Sequence, residues 1–228
     1  MGQQWYSGVD GDTAVAACYD ERRALAYASG HRRNWMRRLS SWREVSLARR
    51  ALRNAGSPDS VLDMPCGTGR FWPMLAAMSA RRLLAGDASP AMLATACAVT
   101  TPAVLACFEI SPMNAFALPL GDASVAHILC MRLLHHFADS RDRLRVLREL
   151  HRVARDSVTI SLWVDGNLQA WRRRRREGKQ GAEHPPSRVI VPRSVMESEF
   201  AAVGFRVRRR FDQLPGIGKR RLYLLDKR

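Results

Sequence analysis

Asp63 and Asp87 each close a short apolar run, Asp63 four residues ahead of Gly67 and Asp87 directly after Gly86. Val61-Leu62 leads into Asp63 ahead of Gly67 and Gly69, and Leu83-Leu84-Ala85-Gly86 leads into Asp87. Residues 61–70 read Val-Leu-Asp-Met-Pro-Cys-Gly-Thr-Gly-Arg, a strand running into a glycine turn. Gly67 and Gly69 permit torsions and a close approach that side chains would block. Arg70-Phe71-Trp72 then opens a helix whose first N–H groups face the turn, so a ligand across the strand's carboxyl end can touch bare backbone. The dinucleotide fingerprint Gly-x-Gly-x-x-Gly fails because position 72 is Trp, and a phosphate loop would need Gly-Lys-Ser/Thr. Asp87, about twenty residues after the turn, is placed to accept from both hydroxyls of a ribose. Ser89-Pro90 after it reads as a helix cap with proline at the first helical position.

These segments resemble the class I S-adenosylmethionine (SAM)-dependent methyltransferases. Asp63, Cys66, Gly67, Thr68 and Gly69 match the family's first motif, and Pro65 stands where its first glycine is usual. Gly86-Asp87-Ala88-Ser89 with Met92-Leu93 is similar to its second motif. Asn114-Ala115-Phe116-Ala117-Leu118-Pro119 is similar to Asp-Ala-x-x-Leu-Pro, with Asn114 in place of the acid that accepts from the adenine amino group and Ala115 supplying the N–H that reaches the ring. The resemblance is closest to the small-molecule branch that includes ubiquinone- and menaquinone-biosynthesis enzymes. It implies SAM as cofactor, held by Asp63, Met64, Pro65, Cys66, Gly67, Gly69, Arg70, Asp87, Ala88, Met92, Asn114, Ala115 and Met131. It further implies methyl transfer to O, N or C of a small acceptor, and the basic excess of the C-terminal quarter points to a phosphorylated or carboxylated one. His135, His136 and His31 are the candidates for a base that takes the acceptor's proton. Arg132, Arg172, Arg173, Arg175 and Arg176 are the candidates for holding an anion. No residue set suggests a metal.

The formal charge is +16, and its distribution separates two regions. Residues 165–228 alone carry 17 basic and 7 acidic side chains, including five consecutive arginines at 172–176. Two other functional classes therefore stay open. One is an RNA or DNA methyltransferase, which the charge suits, although no Asn/Asp-Pro-Pro-Tyr/Phe motif occurs. The other is a non-catalytic SAM-binding or membrane-surface protein, with Trp163, Leu168 and Trp171 flanking the arginines over anionic lipid. The five cysteines show no Cys-x-x-Cys pairing, and no run of eighteen apolar residues occurs. Reduced core thiols in a cytoplasmic protein are the expectation.

The elements that must position these residues follow from periodicity. Residues 1–55 read as a helical cap, with Trp35, Leu39, Trp42, Val45, Leu47 and Leu52 on its apolar pattern. Residues 56–228 read as one α/β domain: a Rossmann-like, seven-stranded, mostly parallel sheet with an antiparallel C-terminal hairpin. Val125–Cys130 is its fourth strand and 157–163 its fifth. Asp139 to Ala154 is an amphipathic helix with Arg141, Arg145, Arg148 and Arg152 outward. Residues 165–190 read as a basic insertion, a poor strand and a partial helix, beside the pocket mouth.

Overall fold

The computed structural model describes residues 35–180 and 188–228, apart from the side chains of residues 36, 37 and 177–180. His31 and the start of the expected cap lie outside the described residues. Seven strands, β1 (Ser60–Asp63), β2 (Arg82–Asp87), β3 (Phe108–Pro112), β4 (Val125–Met131), β5 (Ala154–Trp163), β6 (Phe205–Asp212) and β7 (Arg220–Lys227), form one sheet in the order β3-β2-β1-β4-β5-β7-β6. Strands β1 to β5 pair in parallel, while β7 lies antiparallel to both β5 and β6. This is the Rossmann-like methyltransferase sheet, with the expected terminal hairpin. The chain builds outward from β1 to β3 and then returns to β4 on the other side of β1. That reversal opens a crevice at the carboxyl ends of β1 and β4.

Alternation along the strands divides the core between two faces. Val61, Leu83, Leu129, Leu222 and Leu224 pack with Ala48, Ala51 and Leu52 of helix α1 (Trp35–Asn54) and with Leu75 of the short helix α2 (Trp72–Ala76). Leu62, Leu84, Ile128, Ile160 and Tyr223 pack with α5 (Ser140–Val153) and α7 (Arg193–Ala202) on the other face. Helix α3 (Pro90–Val99) begins at Ser89, whose hydroxyl accepts from Met92 N at 3.3 Å, and α4 (Pro102–Leu105) leads into β3.

Several readings need correction. On α1 the buried face is Glu44, Ala48, Ala51 and Leu52, whereas Trp35, Leu39 and Trp42 face solvent. On α5, Arg143 sits in the buried stripe and Arg152 is tied to Glu149 and Asp122 rather than free in solvent. The helix after Gly69 starts at Trp72 and is five residues long. The arginine run is a helix, α6 (Leu168–Gln180), because Asn167 Oδ1 accepts from Ala170 N at 2.9 Å and arginine is a good helix former. Of the described cysteines, Cys66 and Cys130 are buried, but Cys97 and Cys107 are exposed. Among the described residues no helix is long and apolar enough to cross a membrane.

Candidate active site

The glycine turn is fastened to the neighbouring strand by a carboxylate. Asp87 Oδ2 accepts from Gly67 N at 2.9 Å, and Oδ1 accepts from Ser89 N at 2.9 Å. Cys66 N donates to Gly86 O at 2.8 Å. Burial raises the Asp87 carboxyl above its usual range, against the pull of those two backbone donors. Gly67 has φ +55° and a Cβ there would meet nothing within 4 Å, so the turn presents open backbone. At Gly69, φ is +69° and a Cβ would fall 2.9 Å from the Trp72 ring, a packing requirement. Gly86, the glycine of the second motif, is a packing requirement as well, since a Cβ there would lie 2.5 Å from Met113 Sδ.

Met64, Met92, Ala115 and Met131 are buried, and Pro65, Ala88 and Asn114 are half-buried, around the carboxyl ends of β1 to β4. Asn114 Oδ1 accepts from Phe116 N at 2.7 Å, so part of its capacity is spent on its own turn. Asp63 is fully buried, and the donor beside its carboxylate is the Trp72 indole N–H, which falls outside good hydrogen-bond geometry. Burial pushes its carboxyl well above the usual range; Arg70 opposes the shift and Asp87 adds to it. A buried carboxylate left so is a seat for a cationic or N–H donor.

A second carboxylate organises the opposite side. Glu44, fully buried on α1, takes Arg70 at 2.9 Å, Arg132 through Nε at 3.1 Å and through Nη2, and Arg220 at 3.4 Å. Burial alone would raise this carboxyl, but the three guanidiniums hold it well below the usual range. Arg132, in the left-handed region at φ +64°, is pinned by Ser161 Oγ accepting from its N–H at 2.9 Å. Arg220 also donates to Gln213 Oε1 at 3.0 Å, and Gln213 donates to Ser40 O and Oγ at 3.0 and 2.8 Å. Glu44 was missed from sequence; its signal is an acid at the 44, 48, 51, 52 spacing of the buried stripe.

Beyond Arg132 the 3₁₀ turn Leu134–His136 places His135 in the interior and leaves His136 half-buried. The His135 ring stacks on Trp163 (centroids 5.0 Å, 5°) and lies 4.7 Å from His136. Its Nδ1, like Trp163 Nε1, is buried with no hydrogen-bond partner among the described residues. Burial lowers its pKa well below the usual range, and His136, Arg188, Arg220 and Arg132 lower it further. Lys219 Nζ lies 3.7 Å from the Trp163 ring centroid, with the guanidiniums of Arg173 and Arg188 at 5.1 and 5.6 Å. The arginine run is thus divided. Arg173 turns inward and donates to Arg188 O at 2.7 Å, while Arg172, Arg175 and Arg176 are exposed, Arg175 over Trp171. A buried ion pair, Arg143 with Glu199 at 2.6 Å, supports the turn from below, as Arg143 also donates to Phe137 O and Ala138 O. His127, by contrast, is a sheet residue held by Ser157 and Thr159 hydroxyls, its pKa pushed down to about 3 by burial.

This geometry agrees with what known proteins show. Residues 61–157 match the family described as "Methyltransferase domain". An uncharacterized methyltransferase-like protein of Schizosaccharomyces pombe is 29% identical over 102 residues, 45% of this chain and 36% of its own length. The match thus spans about a third of that relative. Magnesium protoporphyrin IX methyltransferase from Synechocystis PCC 6803, solved with bound SAH, superposes with a TM-score of 0.79 at 15% identity, covering 95% of this chain and 99% of that one. The [4+2]-cyclase SpnF superposes at 0.63 and 14% identity over 80% and 81% of the two chains. Residues 61–157 thus carry a methyltransferase domain match, and the sheet order is that of the SAM-dependent methyltransferase fold.

Proposed function

We propose that the chain transfers the methyl group of SAM to O, N or C of a small anionic acceptor. The carrying observation is the cationic surrounding of His135 and Trp163, where Arg132, Arg173, Arg188, Lys219 and Arg220 converge. That field attracts a carboxylate or phosphate.

The residues fit the cofactor. Asp63 gives an ammonium group a buried counter-charge, Asp87 keeps lone pairs for ribose hydroxyls, Gly67 offers backbone, and Asn114 and Ala115 border an adenine position. Bound SAM supplies a methyl carbon already activated by its sulfonium. The chain then has to align the nucleophile and exclude water. In the tautomer with its proton on Nε2, His135 accepts at Nδ1 from the acceptor's O–H or N–H and orients a lone pair. Burial keeps it neutral, and His136 and the nearby guanidiniums add to that. An anion among them offsets that field and raises its basicity only when the acceptor is in place.

Release of S-adenosylhomocysteine from a panel of carboxylated and phosphorylated metabolites, their neutral esters and RNA or DNA oligonucleotides tests this. Anionic small molecules should turn over, with neutral esters at least about tenfold poorer in kcat/KM, as loss of one charged hydrogen bond implies. Arg188→Gln should raise the acceptor KM and leave SAM affinity unchanged. Equal turnover of esters, or preference for an oligonucleotide, would overturn the acceptor class.

A further inference from the structure

Nine large apolar side chains are exposed among the described residues, and seven of them lie on one band. Trp35, Leu39 and Trp42 form a stripe on α1, at 72, 55 and 66% exposure. Leu214 and Ile217 occupy the β6–β7 connection, and Leu168 and Trp171 the start of α6. Hydrogen bonds join the three pieces. Gln213 donates to Ser40 of α1, Arg43 donates back to Gln213 O, and Leu168 N and Gln169 N donate to Gly216 O and Ile217 O, each at 3.0 Å. The band follows the carboxyl edge of the sheet, where β5 ends and β7 begins, the edge that also carries the glycine turn.

Its charges have one sign. Arg38, Arg172, Arg174, Arg175 and Arg176 are exposed along it. Every described carboxylate beside it is withdrawn. Glu44 is buried, Asp165 takes Arg174 at 3.8 Å and Arg193 at 3.5 Å, and Asp212 takes Arg221 at 2.6 Å. Trp163, which the sequence pattern puts in the same patch, is buried and belongs to the site instead.

We propose that this band docks the protein on an anionic lipid bilayer. Tryptophans rest at headgroup depth, leucine and isoleucine enter the acyl boundary, and arginines meet lipid phosphates and acidic headgroups. A soluble partner surface would be expected to mix charges of both signs, whereas an anionic membrane selects cations with aromatics and repels carboxylates. Apolar clustering on this scale is uncommon on a monomer's solvent face.

Co-sedimentation with vesicles of phosphatidylglycerol and phosphatidylcholine, against pure phosphatidylcholine, tests the proposal. The full chain should pellet with the anionic vesicles, release as salt approaches about 1 M, where the screening length falls to about 3 Å, and show blue-shifted tryptophan emission. Trp42→Ser with Trp171→Ser should weaken retention at least about tenfold, as should Arg172→Gln with Arg176→Gln, with SAM affinity measured by calorimetry unchanged in both. Absence of retention, retention equal on neutral vesicles, or retention indifferent to both double variants would overturn it. So would a dimer, seen by sedimentation equilibrium, that the tryptophan variant splits without any vesicle binding, for that assigns the band to a second copy. The acceptor assay is independent, since soluble acceptors turn over whether or not vesicles bind.

Discussion

The two sides of the crevice are built in different ways. The cofactor side is local: Gly67, Asp87 and Ser89 make a turn, a strand end and a helix cap, joined by bonds between adjacent strands. The side proposed for the acceptor is assembled from afar. Glu44 gathers residues 70, 132 and 220, and Trp163 gathers 135, 173, 188 and 219. The first is a shape written in backbone. The second is a charge balance that exists only once the chain has closed on itself. Damage on the first side should therefore appear as lost affinity, and on the second as lost stability.

Glu44→Ala gives the largest effect, about 3–5 kcal/mol of unfolding free energy at pH 7, because three guanidiniums lose their counter-ion in a buried place. Urea denaturation measures it. The sign with pH is fixed by the depressed carboxyl. Its stabilisation is complete above the unfolded value of about 4.3 and declines as pH falls below it, so the gap between wild type and variant should narrow in acid. A constant gap would show that packing, not charge, is at stake. Asp87→Ala should weaken SAM by about 1.5–3 kcal/mol by calorimetry with a smaller change in stability, and the reverse pattern would erase the contrast between the two sides.

Asp63→Asn sharpens the comparison, since Asp63 is a buried titratable group on the affinity side. Its carboxyl is raised, so the folded state holds a proton that the unfolded chain releases. Wild-type stability should fall as pH rises above about 3.9, and the variant should lose that slope and gain about 1–2 kcal/mol without ligand at pH 7 while binding SAM less tightly. Parallel pH profiles would mean that Asp63 is ionised and solvated. The smallest effect is expected from Asn114→Leu, about 1 kcal/mol in SAM affinity, with Asn114→Asp tolerated. Equal binding by the leucine variant would take Asn114 away from the adenine position.

The legible part of the molecule is the part whose cause is near in sequence. The strands themselves, the Ser89 cap, the Gly67–Gly69 turn and the terminal hairpin all follow from residues within a few positions of one another. Glu44 draws no reading from sequence because its partners lie up to 176 positions away, and the apolar pattern of α1 mixes Trp35, Leu39 and Trp42, which face solvent, with Val45, Leu47 and Leu52, which pack on the core, because hydrophobicity alone does not say which face meets the sheet. Arg188, Lys219 and Arg220 were indistinguishable from the other basic residues until β7 was seen to insert beside β5. The five arginines were read as one device, and the helix divides them, turning Arg173 against Trp163 and its neighbours to solvent.

Glu44 also sets a timetable. During synthesis α1 leaves the ribosome long before Arg220, which sits on the last strand. Until β7 is released, the Glu44 carboxylate has, among the described residues, Arg70 and Arg132 to meet, and the hairpin that brings Arg220 and Gln213 is absent. A nascent chain can therefore shape its glycine turn early but cannot seal α1 against the sheet until almost all of the described chain is free. Binding competence for the cofactor and a locked helix should arrive at different moments, and a chain stalled before residue 220 should be far more open to proteases at α1 than at the turn it will later cover.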